Sequence, residues 1–141
     1  MYYITLADGT RVLADGSGIV DNMETITASK TLTVEDSGKS FFIGTDALVI
    51  TLPATIKGLE YTFINSGADG NNLITLSPDA VDGIFGTVAN AAADSVSGGI
   101  IDKDIINTKV TANKGDSITL VADGVDGWYI KNGVGIWASE A

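Results

Sequence analysis

Residues 115–130 read GDSITLVADGVDGWYI, and this stretch decides the fold class. Ser117-Ile118-Thr119-Leu120-Val121 alternates polar and apolar residues, so Ile118 and Leu120 share one side of an extended chain. A period of two marks a strand buried on one face. Two Asp-Gly pairs follow, Asp123-Gly124 and Asp126-Gly127. Glycine there supplies the positive φ that a tight reversal needs. The chain returns as Trp128-Tyr129-Ile130-Lys131, again alternating, with Trp128 and Ile130 on one face. The stretch predicts a β-hairpin with a large aromatic beside its turn, and the earlier segments read as copies of the same device.

Outward from this hairpin, residues 1–13 predict a smaller one: YYITL, a turn at Ala7-Asp8-Gly9, then TRVL. Asp15-Gly16-Ser17-Gly18 reads as a flexible joint, which sets residues 1–20 apart as an arm and leaves 21–141 as the body. In the body, TITASKTLTV at 25–34 puts Ile26, Ala28, Leu32 and Val34 on one side, with a kink near Ser29-Lys30. Further strands are expected at Phe41-Phe42-Ile43, at LVITL 48–52 before Pro53, at LEYTFI 59–64 and at LITL 73–76. Residues 79–99 predict a long loop with one helical turn in the alanine run, and Trp137 falls on a short last strand. Roughly nine to eleven short strands result, spaced as in all-β sandwiches and barrels. The expected fold is all-β: a single-domain sandwich, jelly-roll-like, with an N-terminal hairpin arm.

Two zeros in the composition narrow the chemistry. The chain has no cysteine, which removes disulfides and thiolate nucleophiles, and no histidine, which removes the usual general base. Lys+Arg 8 against Asp+Glu 18 gives a net charge of −10, which repels phosphate backbones. The lysines are scattered singly, so nucleic acid is not an expected partner. No apolar run approaches the roughly 18 residues of a membrane span, and no leader pattern is visible, so no membrane role is expected either.

Each remaining pattern has a plain counterpart. The Asp-Gly pairs at Asp8, Asp15, Asp69, Asp82, Asp123 and Asp126 invite a calcium reading, but none has the loop spacing that calcium sites use, and turn chemistry explains them. Glu24, Glu35, Glu60, Asp102 and Asp104 are available for paired-carboxylate hydrolysis, yet nothing in the sequence brings two together. Metal and cofactor are both expected to be absent, and the chain is not expected to be an enzyme. Trp128, Tyr129 and Trp137 are a candidate sugar platform, but the favoured reading puts Trp128 and Trp137 in the core or a subunit interface. The run 88–99, VANAAADSVSGG, is a candidate recognition loop whose small residues suit packing better than ligand contact.

Taken together, TLTVEDSGKSFFI, then VITLPATIKGLEYTFI, then KGDSITLVADGVDGWYIKNGVGIW resemble a β-rich module of tailed-bacteriophage structural proteins. In that module a DSGK turn precedes a strand, TLP ends the next, GL-(F/Y)-TF opens a third, and a late GD-hairpin precedes a terminal G-W. The resemblance covers residues 25–137, least so in the middle. It implies a virion structural protein without catalytic motifs, assembled as a homotrimer. A chain of 141 residues opening on Met and lacking shaft repeats is expected to be a small protein decorating or cementing the outer capsid surface, with the major capsid protein as partner. Tyr2, Tyr3 and Arg11 are then the candidate contacts to capsid or neighbouring subunit, since aromatics and arginine are enriched at interface hot spots. The alternative is a receptor- or glycan-binding domain of a fibre or spike.

Overall fold

The computed structural model describes residues 3–5, 7, 9, 11–13, 22–88 and 95–140, with the backbone alone at 3, 4, 11–13 and 95–98. The fold is all-β, as the alternating segments predict. β1 (Tyr3–Thr5) and β2 (Arg11–Leu13) form an antiparallel pair of their own. The body alternates between two sheets: β3 (Met23–Ile26), β5 (Ser40–Ile43) and β7 (Glu60–Asn65) lie in one. β4 (Lys30–Thr31), β6 (Leu48–Thr51) and β8 (Ile74–Ser77) lie in the other. Then come β9 (Gly83–Val88), β10 (Ser95–Gly98), β11 (Ile105–Asn107), β12 (Ser117–Ala122), β13 (Gly127–Val134) and β14 (Trp137–Ser139). The larger sheet runs β10-β9-β13-β12-β7-β5-β3, the smaller β14-β11-β8-β6-β4.

The connectivity corrects the jelly-roll and serial-hairpin expectations. A jelly roll is built from antiparallel Greek keys. Here β3, β5 and β7 pair in parallel, and so do β4, β6 and β8. The chain crosses from one sheet to the other and back, so each coil stacks on the one before. Hairpin pairing takes over in the C-terminal half, where β12 is antiparallel to both β7 and β13. A period of two reports which face is buried, not the direction of the partner strand, so parallel pairing left no trace in the pattern.

Two local expectations also change. Residues 25–34 are not one kinked strand: β3 and β4 belong to different sheets, the break falling at 27–29. Ile26 and Leu32 are buried, whereas Ala28 and Val34 are exposed. The stretch 79–99 is not a plain loop, because β9 and β10 pair antiparallel across it. The alanine run and the joint at 15–18 lie outside the described residues.

The core fills the space between the sheets with inward-facing Tyr61 and Phe63 of β7, Phe41 of β5, Ile118 and Leu120 of β12, and the facing Ile50, Ile74 and Leu76. Phe41 stacks on Phe63 at 5.7 Å, and Tyr61 meets Trp128 at 5.4 Å. At the β3–β4 edge two charged residues face inward. Glu24 is the register partner of buried Phe41, Lys30 that of buried Ile50, and Lys30 Nζ donates to Glu24 Oε2 at 2.8 Å and lies 5.6 Å from the centre of the Phe41 ring. Asp36 accepts from Lys39 Nζ at 3.2 Å and from the Thr33 N–H at 3.0 Å beside this pair. Inward charge at an edge strand blunts pairing with further strands.

Candidate interaction surface

Because strand directions alternate between the sheets, the connections gather at two poles. One carries 27–29, 44–47, 66–73, 108–116 and 135–136, and the other carries 32–39, 52–59, 78–82, 99–104 and 123–126.

The first pole is a closed polar clasp. Asn65 at the end of β7 donates through Nδ2 to Asn107 Oδ1 at 2.8 Å, joining the two sheets. Asn107 Nδ2 donates to Asp116 Oδ2 at 3.1 Å and to the Ile136 carbonyl at 3.0 Å. Asp116 Oδ2 also takes the Asn113 N–H, and Asn65 Oδ1 takes that of Gly67. All three side chains are buried. Gly135 is obligatory here: at φ 101 its Cβ would fall 2.3 Å from the Asp116 carboxyl carbon. Each group is satisfied within the clasp, so it holds the sheets together and offers nothing to a ligand.

The second pole is cross-braced through Thr55 and Asp82. The Thr55 N–H donates to Asp82 Oδ2 at 2.8 Å, Thr55 Oγ1 donates to the Gly127 carbonyl at 2.7 Å, and the Gly124 N–H donates to Thr55 Oγ1 at 2.9 Å. The Asp82 carbonyl accepts the Asp102 N–H, and the Asp126 carbonyl that of Gly83. Burial pushes the Asp82 carboxyl above its usual range; the Thr55 N–H pulls it back, and Asp79 and Asp123 push it up further. Asp123 Oδ1 receives the N–H groups of Val125, Asp126 and Gly127 at 2.8, 2.9 and 3.0 Å, which holds its own carboxyl below the usual range. Gly124 at φ 76 and Gly127 at φ 135 have the positive φ that the Asp-Gly pairs predict.

The candidate residues fall in different places. Trp128 and Trp137 are both fully buried in the core of the single chain, which removes them from any sugar platform. Tyr129 is half exposed and stacks on Phe85 at 5.1 Å. Tyr3 and Arg11 lie on β1 and β2, with Thr5 opposite Arg11, while their side chains, and Tyr2 altogether, lie outside the described residues. Sequence reading missed the apolar tips of the second pole. Their signal is an apolar residue just before Asp in a turn: Val81-Asp82, Ile101-Asp102 and Val125-Asp126. Val81 and Val125 read as parts of a loop and a turn and Ile101 as part of an apolar stretch, and nothing in the sequence brings the three to one end of the molecule.

No family model matches the chain, and a search of curated proteins finds no match.

Proposed function

We propose that the protein is a virion structural component that decorates or cements the outer capsid surface of a tailed phage, as a homotrimer bound to the major capsid protein. The observation that supports this reading is the independence of β1 and β2. Among the described residues they pair with each other and with neither sheet of the body, whose first coil is already closed by the inward Glu24–Lys30 pair. A two-stranded hairpin is marginal alone. One that completes neither sheet is suited to finding its support on another chain. In this reading Tyr2, Tyr3 and Arg11 are the contacts, and binding only the assembled shell stabilises that state by mass action.

The test is a chain that starts at Asp21. It is expected to keep its thermal midpoint and to lose co-sedimentation with capsid shells. Undiminished decoration would sink the arm, and failure to fold would assign the hairpin to the core. The glycan-binding alternative now falls on the half-exposed Tyr129 beside Phe85, and a glycan array with wild type and Tyr129→Ala checks it.

A further inference from the structure

The braced pole displays an apolar surface that the fold does not use. Ile56, Val81, Ile100, Ile101 and Val125 stand on four neighbouring loops and are 49%, 70%, 63%, 59% and 79% exposed. The loops are tied to one another by the hydrogen bonds of Thr55 and Asp82 and by the Gly83–Asp126 and Asp102–Asp82 backbone bonds. The tips are therefore held in place before any partner arrives, which lowers the ordering cost of binding. Contiguous exposed apolar residues rimmed by polar ones mark interaction sites.

Charge says what can cover them. Asp79, Asp102, Asp123 and Asp126 stand among the tips, beside Lys57 and Lys103, on a chain of net charge −10. A second copy meeting this pole with its own would oppose carboxylate to carboxylate, and an anionic lipid or nucleic-acid surface is repelled in the same way. Asn22, whose carbonyl accepts the Ser40 N–H, precedes β3 at this same end. We propose that this pole docks a different protein, through a face that offers apolar pockets bordered by lysine or arginine. This inference does not rest on capsid decoration, because the pole can be read directly with no shell present.

The test is a backbone-amide NMR titration of the full chain with an amphipathic leucine–lysine peptide, using leucine–glutamate and all-lysine peptides as controls. The leucine–lysine peptide is expected to shift amides of 54–58, 80–83, 99–103 and 123–127, and the leucine–glutamate peptide to shift none of them. Val81→Ser/Ile101→Ser/Val125→Ser is expected to weaken binding about tenfold or more. Val49→Ser/Val110→Ser/Val134→Ser, at exposed positions elsewhere, is expected to leave it unchanged. Val125→Ser alone, at an exposed turn, gives the same direction should the triple variant fold poorly. Shifts spread over the whole acidic surface as with all-lysine peptide, equal binding by the two triple variants, or self-association through the pole would each overturn the proposal.

Discussion

Trp128 and Trp137 are buried alike but differ in one hydrogen bond. Trp137 Nε1 donates to the Val134 carbonyl at 3.1 Å, whereas Trp128 Nε1 has no acceptor among the described residues. A buried donor without a partner costs about 1–3 kcal/mol. Replacing Trp128 by Phe removes that cost along with some volume, while the same change at 137 removes volume and a bond together. Trp137→Phe is therefore expected to lose at least about 1 kcal/mol more in urea unfolding than Trp128→Phe. The reverse order would refute the account. Glycine makes a second comparison. Gly127 lies at φ 135, and a Cβ there would fall 2.2 Å from the Gly83 carbonyl oxygen, across the parallel β9–β13 seam. Gly115 at φ 98 faces open space. Alanine at 115 is expected to cost about 1 kcal/mol, and at 127 more than about 2 kcal/mol. Similar unfolding midpoints for the two would show that the close approach is not limiting. The Asp-Gly pattern announced the turn at Gly127 but not the neighbouring strand that forbids a side chain.

At the scale of elements, the β3–β4 edge combines legible and illegible features. Ile26 and Leu32 are readable as buried from alternation, yet Lys30 interrupts the pattern and reads as a kink. Its reason is tertiary: it faces Glu24 from the opposite sheet. Replacing both by Val keeps the fold, since exchanging a shielded ion pair for apolar groups is often tolerated. It also strips the edge of its inward charge, so the double variant is expected to sediment as species larger than those of the wild type at the same concentration. Unchanged sedimentation would refute the protective role. Asp36 adds a pH dependence. Burial pushes its carboxyl up, but the Thr33 N–H, Lys39 and Lys30 together hold it below its ordinary value. Its stabilisation is thus present above the unfolded-state value and lost as pH falls through the folded one. Asp36→Asn is expected to cost about 1–3 kcal/mol near neutrality, with the gap closing in acid. A gap that persists in acid would mean a packing effect instead.

For the whole molecule, the joint between the sheets decides cohesion. All-β character was readable throughout, because nearly every strand alternates. The clasp was not: Asn65 and Asn107 occupy inward positions at the ends of EYTFIN and IIN, where Asn looks like the start of a loop. Only the pairing of β7 with β12 and of β8 with β11 brings them within reach. Asn107→Leu would take a hydrogen-bond partner from Asn65 Nδ2, Asp116 Oδ2 and the Ile136 carbonyl at once, leaving Asp116 Oδ2 only the Asn113 N–H. It is expected to cost about 3 kcal/mol or more, and Asn107→Asp, which keeps the volume but loses the donors, to be similarly damaging. If leucine is tolerated in chemical unfolding, the site is one of packing and the clasp reading is wrong.

The stacking of coils has a consequence for how the molecule is made. Sheet order is not chain order: the edge of β7 is covered by β12, and that of β8 by β11, both synthesised later. A ribosome that has released the first three coils therefore presents two raw strand edges to its surroundings. At about 5–20 residues per second, β7 waits roughly 3–10 seconds for β12. The charged residues at β3 and β4 shield the end made first, and among the described residues no such ion pair shields the edges of β7 and β8. Premature termination before β11 would leave that interval permanent, so truncated chains should appear in the aggregated fraction while full-length chains stay soluble.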